Sequence, residues 1–433
     1  MLEGLEKIPW YRLSHAYDDA TNVPEAIRNL ANNDEEKYEQ SMEVLWNHLY
    51  HQGTIFEATA YAVPFLIELL QEPSCQKKAD ILHYLAHLGT GNSYLEVHQH
   101  MIMNEEYKAS DQFQETLAQE QNWVNNTYNA VIAGVPVYLQ LLTDNDAILQ
   151  NHAAYTLGAC SQKADKILPS LHERLVVDTD VQARASMIFC LALLGSDKEK
   201  LFLQELLENE SSSMIRVVIA RCLCHTMGED IPYMAVKILV ENLIYPEKAA
   251  TLYAESPWVD YSYHYASSSE QTIDALHAEV PEAHQILITD ITGALSLVGA
   301  KNAELAIPLL LDGIQQVHGL GVLGIVESLL CLAFDKPFIQ DPTSYLYLSN
   351  QPVAEIPFES LTQVQKEVLT AIATHECASK IADVNNITLL LESGGLPDGI
   401  NRFRKDVLAL KPISNPKPKG DLQNSLRFPS NSR

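Results

Sequence analysis

The chain has 433 residues, of which 47% are hydrophobic and 20% are charged. That is too apolar for a disordered chain, and the length allows a large core in a few domains or in one elongated array. Asp and Glu number 56 against 29 Lys and Arg, which gives a formal charge of −27. Such a charge repels nucleic acids and anionic membranes, so we expect neither as a partner and favour a basic protein. The alternative is that the acidic groups simply keep a large helical surface soluble.

The first residues, MLEGLEKIPWYRL, lack the basic and then apolar segments of a secretory signal. No apolar run approaches the roughly 18 residues that cross a membrane. The seven cysteines are an odd number and lie mostly in apolar stretches, which is typical of reduced, buried thiols. The sequence therefore predicts a cytoplasmic protein and leaves its oligomeric state open.

A polar quartet, HQGT, precedes an apolar segment at residues 51–54. Thr54 and Glu57 match the T-x-x-E capping box, in which the hydroxyl and the carboxylate accept backbone N–H groups at the start of a helix. Gly53 would let the chain turn into that helix. We therefore predict a helix start here. The alternative is a polar pocket formed by the neighbouring side chains Trp46, His48, His51 and Gln52.

An aliphatic residue followed by proline recurs ahead of short apolar segments. The segments are VPFLIELL at residue 63, VPVYLQLL at 135, LPSLHERL at 168, IPYMAVKI at 231 and IPLLLDGI at 307. In each, the second and sixth residues after the proline are apolar, and a separation of four places both on one face of a helix. Proline fits the first helical position, where it loses no hydrogen bond. Each segment is therefore predicted to begin the first helix of a pair.

A second apolar helix is predicted to end near glycine, about 25 residues further on, in each repeat. These glycines are Gly89, Gly158, Gly195, Gly228 and Gly299. The residues one, four, five and eight positions before each glycine are apolar, with Gln150 as the exception. Glycine is the usual residue where a chain leaves a helix through the left-handed conformation.

The intervals between these glycines are 69, 37, 33 and 71 residues. The two long intervals are about twice the short ones, so each is predicted to hold an insertion, at about residues 91–127 and 246–280. Paired helices too short to bury their faces alone must stack. The predicted fold is therefore all-α: residues 1–409 form a right-handed α-solenoid of stacked antiparallel helix pairs with two loop or helix insertions.

The end of the chain differs in charge and composition. Residues 401–433 hold eight Lys and Arg against two Asp, a net of +6 that leaves −33 on residues 1–400. Residues 410–433 are rich in Pro, Ser and Asn, so we predict a basic, disordered tail.

Three segments carry a resemblance to a known repeat. They are TDNDAILQNHAAYTLGAC, VDTDVQARASMIFCLALLGS and MIRVVIARCLCHTMGED, which contain Asp180, Arg184 and Arg216. An Asp in the turn and an Arg early in the second helix resemble HEAT repeats, in particular the short bacterial type called PBS-lyase HEAT-like. The first segment has no Arg at that position, so we expect its turn contacts to be interrupted. The resemblance to an uncharacterised group of bacterial HEAT-repeat proteins covers most of residues 42–409 and implies a fold and a bacterial setting, without an activity.

No catalytic or metal motif stands out from the sequence. His83 and His87 are four residues apart, and with His98 and His100 they would supply four imidazoles for zinc. The glutamate of an H-E-x-x-H motif is absent, and the glycines of HGLGVLG follow no predicted strand. We therefore expect no catalytic residue, no metal and no cofactor.

The two predicted insertions differ in character. Residues 91–127 predict an added polar helix seated by Trp123. Residues 251–271, TLYAESPWVDYSYHYASSSEQ, concentrate aromatic side chains with polar tips, which are favoured as binding anchors. The predicted partner-binding residues are Tyr253, Trp258, Tyr261, Tyr263, His264 and Tyr265. The alternative is that this insertion folds back and covers the array with its own rings.

These features favour a non-enzymatic protein-binding scaffold that uses an acidic curved surface. One specific version is an immunity or antitoxin protein that sequesters a basic bacterial toxin. HEAT-like folds also include DNA glycosylases and bilin lyases, so the alternatives are an enzyme, a DNA-directed protein or an assembly scaffold in a larger complex.

Overall fold

The computed structural model describes residues 2–32, 34–98, 104–259, 281–317, 320–335 and 360–375. Over these ranges the chain is mostly helical, which confirms the predicted all-α class. The helices of the first half are α1 Val23–Asn29, α2 Glu35–Leu49, α3 Thr59–Gln71, α4 Lys78–Thr90, α5 Tyr94–His98, α6 Glu105–Lys108, α7 Asp111–Ala133, α8 Val135–Leu141, α9 Ala147–Gly158, α10 Ala164–Val177 and α11 Val181–Leu194. The remaining ones are α12 Asp197–Asn209, α13 Ser213–Met227, α14 Tyr233–Ile244, α15 Ala250–Ala254, α16 Glu282–Ser296, α17 Gly299–Gly313, α18 Leu320–Phe334 and α19 Gln363–Thr374.

The chain divides into two compact units. Unit 1 comprises residues 1–226 together with 255–259, and unit 2 comprises 227–254 and 260–433. In unit 2, helix α14 packs against α16 and α17, and α18 packs against α16, α17 and α19. The single array over residues 1–409 stays a prediction, and the predicted tail at 410–433 lies outside the described residues.

Helices of unit 1 pack in pairs of neighbours along the chain. Helix α3 packs against α4, α8 against α9, and α10 against α11. The second members of these pairs, α4, α9 and α11, lie side by side in that order. The inserted helix α7 packs on α3 and α4. This arrangement brings one face of each second helix onto a common surface.

The residues counted back from the repeated glycines form much of the core. Eighteen of the twenty are buried, including Gln150, and the two exceptions, Leu194 and Met227, are partly exposed. Burial of each large aliphatic side chain contributes about 1.5–3 kcal/mol, so this periodic set is a main source of stability. The described cysteines are also buried, as predicted, and none of them is in a disulfide. Burial raises the pKa of the Cys160 thiol to about 12. Cys377 lies outside the described residues.

Two of the five glycines have the predicted left-handed conformation. Gly228 has φ +54° and Gly299 has φ +68°. Gly195 instead has φ −80° and is extended, and a Cβ there would lie 2.4 Å from the Leu191 carbonyl oxygen. Glycine is therefore required at position 195 because the Leu191 carbonyl oxygen leaves no space for a side chain. The predicted left-handed conformation is wrong there.

The recurring prolines differ from the prediction at three sites. Pro136 lies in the first turn of α8 and Pro232 caps α14, but Pro64, Pro169 and Pro308 lie inside their helices. Proline lacks only the backbone N–H that would bond to the carbonyl oxygen four residues earlier. A helix whose first turns are well packed can lose this one hydrogen bond and still begin before the proline. The apolar positions after the prolines are buried except Met234, which is 45% exposed.

Residues 50–55 form a β-hairpin. Strand β1, Tyr50–His51, pairs antiparallel with β2, Thr54–Ile55. The two residues between them, Gln52 and Gly53, have φ +50° and +83°. Positive φ at both positions is the type I′ turn whose twist matches a two-residue hairpin.

This hairpin shows that the predicted capping box is wrong. Thr54 lies in a strand, and its hydroxyl donates to the His51 carbonyl oxygen at 2.6 Å. The Glu57 carboxylate accepts the backbone N–H and the hydroxyl of Ser14, both at 3.1 Å. Helix α3 begins only at Thr59. Because the tight turn at residues 52 and 53 places Thr54 in strand β2, its hydroxyl is not available to cap the start of a helix.

The first predicted insertion does add a helix, but it is anchored differently. Helix α7 buries Phe113, Val131 and Ile132, whereas Trp123 is only partly buried. None of the described helices combines the length and hydropathy required to cross a lipid bilayer.

Candidate binding surface

One position recurs on three neighbouring helices of unit 1. His83 on α4, His152 on α9 and Phe189 on α11 each lie six residues before the glycine that follows in their repeat. Each side chain keeps part of its surface exposed. Because α4, α9 and α11 pack side by side, these side chains follow one another across the surface.

Trp46 on α2 extends this row beyond α4. Its ring centroid lies 5.1 Å from that of His87, 6.0 Å from that of His83 and 5.4 Å from that of Tyr50. Beneath it, the buried Tyr84 ring lies at 4.7 Å and donates its hydroxyl to a backbone carbonyl of α2. These edge-on and tilted geometries are ones that aromatic rings favour.

Tyr155 on α9 links the row from α4 to α11. Its ring is stacked on His83, with centroids 5.9 Å apart and planes at 28°. It also lies 6.4 Å from the ring of His87 and 6.4 Å from the ring of Phe189. His152, one turn earlier on α9, lies 6.2 Å from His83.

Trp258 and Arg221 lie at the far end of the row. The Trp258 ring stacks on Phe189, with centroids 5.0 Å apart and planes at 14°. The Arg221 guanidinium lies 5.6 Å from the centroid of the Phe189 ring, within cation–π range. We name the whole row the aromatic strip; its members are Trp46, Tyr50, His83, His87, His152, Tyr155, Phe189 and Trp258.

The acidic residues are distributed unevenly around the aromatic strip. Helices α9, α11 and α13 contain no Asp or Glu. Carboxylates stand at the starts of the second helices instead: Asp146 caps α9 and Asp180 caps α11, each accepting a backbone N–H at 2.9 Å. Asp80 lies in the first turn of α4. These three carboxylates therefore lie next to the strip, on the side where the second helices begin.

The arginine of the repeat pattern has a structural role. Arg184 pairs with the Glu210 carboxylate at 2.9 Å, and both groups are largely buried. Burial raises the pKa of Glu210, but the backbone N–H of Ser212 and the Arg184 charge lower it more, so it lies below its usual value. In the earlier repeat, Gln150 follows its Asp146 cap by four residues, as Arg184 follows Asp180, and its amide donates to the Asp144 carbonyl oxygen. This repeat therefore has an amide-to-backbone hydrogen bond where the later repeat has an ion pair.

One histidine of the strip, His152, favours the neutral form. Burial lowers the pKa of His152, which outweighs the opposing effect of the Ile148 carbonyl and of the Asp80 and Asp146 charges. The rings of His83 and His87 lie 4.6 Å apart and belong to the strip. The neutral His152 imidazole acts here as a flat, polarisable ring.

Of the four histidines considered for zinc, the three that the structure describes, His83, His87 and His98, do not form a metal-binding group. His98 stacks on Tyr94 at 4.2 Å, and His100 lies outside the described residues. No group of three or more His, Cys, Asp or Glu side chains with metal-binding geometry occurs among the described residues.

The polar pocket considered around residues 46–52 forms only in part. His48 and His51 lie close to Tyr17, with ring centroids 5.4 Å and 5.3 Å from it. Trp46 belongs to the aromatic strip instead, and Gln52 occupies the hairpin turn.

The predicted partner-binding residues have different positions. Trp258 lies on the aromatic strip and is partly exposed. Tyr253 is fully buried, and its hydroxyl donates to Asp290 at 2.6 Å, so it is a core residue of unit 2 and cannot serve as a surface anchor. Tyr261, Tyr263, His264 and Tyr265 lie outside the described residues.

Most of the strip was not identified from the sequence. The available signal was the position six residues before the glycine, which holds an imidazole or a phenyl ring in three repeats. That position faces away from the apolar stripe. An aromatic ring outside the apolar stripe indicates a surface position, and this pattern could have identified the strip.

No family model and no curated protein matches the chain. Among solved structures, the chain is similar to the crystal structure of an engineered protein at 15% sequence identity. The alignment covers 90% of this chain and 98% of that chain, and its TM-score is 0.32. At this TM-score the similarity carries no argument about fold or function.

Proposed function

We propose that the chain is a non-enzymatic protein-binding scaffold, a right-handed α-solenoid of HEAT-like helix pairs that binds its partner on the aromatic strip. Successive helix pairs and side-by-side second helices support the solenoid arrangement within unit 1. The Asp caps of α9 and α11 and the Arg184–Glu210 pair support the HEAT-like repeat. Such stacks offer long surfaces on which successive repeats each contribute side chains.

The row of partly exposed rings from α2 to α11 is the observation that carries this proposal. Soluble proteins cover most large aromatic side chains, and a contiguous exposed row is typical of an interaction surface. Tyr and Trp supply large contact areas at low cost in side-chain entropy, so they dominate binding energy at interfaces. The rings of the strip also hold one another in place, which reduces the ordering needed on binding.

We propose a basic protein as the partner. The formal charge of −27 attracts a basic protein at long range and raises its association rate, while the rings supply short-range affinity. A bacterial, cytoplasmic immunity or antitoxin protein that sequesters a basic toxin is the specific version of this function. In that version the scaffold acts by occupying the toxin surface that contacts an anionic target.

The proposal is tested by affinity capture from the cells that produce the protein. The full chain, a His83→Ala, Tyr155→Ala variant and a matched control are used as baits. The control is Val176→Ala, Val177→Ala, which removes side chains that are 86% and 61% exposed on α10. Circular dichroism verifies that all three baits are folded.

We expect one basic protein to be captured by the wild type and the control and to be lost from the strip variant. Binding of the purified partner should then weaken by at least about tenfold on the strip substitutions, as for hot-spot residues. Equal binding by the wild type and the strip variant would refute the proposed function.

A further inference from the structure

The two ends of the aromatic strip differ in whether a cation of the chain already lies over a ring. Near α4 and α9, the exposed carboxylates of Asp80 and Asp146 lie close enough to the His152 ring of the strip to act on it. Near α11, the Arg221 guanidinium already lies over the Phe189 ring, while Arg184 of the same helix is paired with Glu210. A cation from a partner is therefore attracted at the first end, whereas the Phe189 ring at the second end already has the Trp258 ring and the Arg221 guanidinium against it.

A lysine of the chain itself shows how a cation is held where α2 and α4 begin. The Lys77 ammonium lies 5.5 Å from the centroid of the Tyr38 ring and pairs with the Glu35 carboxylate at 2.8 Å. The charges of Glu39 and Asp80 act on the same ammonium. The Asp80 carboxylate thus acts both on this cation over a ring and on the His152 ring of the strip.

The spacing of the helices fits an extended chain. Neighbouring packed helices are about 10 Å apart, and an extended peptide advances roughly 3.3 Å per residue. A peptide that crosses the strip therefore presents a side chain to a new second helix about every three residues.

We propose that the partner presents an extended segment with Lys or Arg at about every third residue to the end of the strip formed by Trp46, His83 and Tyr155. The cationic groups lie over these rings and beside Asp80, and apolar or aromatic side chains contact Phe189 and Trp258. This inference rests on the proposed function, because it names the chemistry of the segment that the same surface binds.

The test uses a fluorescently labelled peptide with Arg at every third position in a Gly and Ser background, and the same peptide with Glu in place of Arg. Fluorescence anisotropy measures binding to the full chain, to Asp80→Asn, to Tyr155→Ala and to Asp197→Asn. Asp197 is a matched control, since its side chain is 95% exposed at the start of α12 and the substitution makes the same change of charge.

We expect the Arg peptide to bind and the Glu peptide not to bind. Asp80→Asn and Tyr155→Ala should each weaken binding about fivefold, the effect of one lost ion pair or cation–π contact, while Asp197→Asn has no effect. Tighter binding of the Glu peptide, or an equal loss with Asp197→Asn, would overturn the inference, because the surface would then be selective for anions or not selective at all.

Capture of the whole partner separates this inference from the proposed function. If His83→Ala, Tyr155→Ala abolishes capture but the Arg peptide does not bind, the proposed function stands and the basic segment is excluded. If capture of the partner does not depend on these residues, the proposed function and this inference are both rejected, whether or not the Arg peptide binds.

Discussion

Trp258 and Phe189 stack almost in parallel, with ring centroids 5.0 Å apart. Trp258 belongs to a short segment, residues 255–259, that packs with unit 1 although the preceding helix belongs to unit 2. The stack therefore fixes this segment to α11 and completes the aromatic strip at its far end.

The first prediction concerns this stack. Trp258→Ala should lower the free energy of unfolding of unit 1 by about 1–2 kcal/mol, and a double-mutant cycle with Phe189→Leu should give a coupling energy of about 1 kcal/mol. Urea denaturation followed by circular dichroism measures both. Tyr11→Ala, which removes a ring that is 62% exposed, is the control and should change stability by less than about 0.5 kcal/mol. A coupling energy near zero would show that the two rings do not stabilise each other.

The second prediction concerns the hairpin turn. Gly53 has φ +83°, so Gly53→Ala should destabilise the protein by about 1 kcal/mol. Gln52→Asn should be neutral or stabilising, because Asn tolerates the left-handed conformation of the type I′ turn. Thermal unfolding compares both with the wild type. A stabilising effect of Gly53→Ala would argue against the turn.

The third prediction concerns acid stability. The pKa of Glu210 is lowered in the folded state, because its bonds from Ser212 and Arg184 outweigh the effect of burial. A lowered carboxylate pKa contributes stability that is present above the usual value of 4.5 and is lost as the pH falls through the lower, folded value.

Glu210→Gln should therefore destabilise unit 1 by about 1–3 kcal/mol at pH 7. The destabilisation should be much smaller at a pH below the folded pKa of Glu210. Urea unfolding at several pH values measures this difference. Glu205→Gln, an exposed site on α12, is the matched control. A Glu210→Gln effect that is the same at every pH would contradict the ion pair.

The fourth prediction concerns His152. Burial lowers the pKa of this imidazole below its usual 6.5, so the unfolded chain binds the proton more readily than the folded one. The stability linked to His152 is complete above pH 6.5 and is lost as the pH falls below it. His152→Gln should flatten the decline in stability between about pH 6.5 and 5. NMR titration of the ring gives the pKa directly, and a value above 6.5 would contradict the prediction.

The sequence was sufficient for the helices and much of the core. Positions counted back from Gly89 or Gly158 are buried because helical periodicity is local and one apolar face must be covered. The aromatic strip was not found in this way, because His83 and Tyr155 meet only when α4 packs against α9. The predicted insertion separates these two helices along the chain. That contact depends on tertiary packing.

The predicted helix start at Thr54 shows a second limit. The residues T-x-x-E match a capping box, and the preceding Gln52 and Gly53 match a two-residue hairpin turn equally well. The hairpin forms because its second strand pairs with the first and Glu57 is engaged by Ser14. Local patterns that overlap are decided by such distant partners.

Site-specific photocrosslinking tests the binding surface most directly. A benzophenone amino acid is introduced at Tyr155 on the aromatic strip and, as a control, at Val176 on α10, and each full chain is irradiated with the purified partner. We predict a crosslink from position 155 and none from position 176. A crosslink from 176 together with none from 155 would contradict the assignment of the strip as the partner-binding surface.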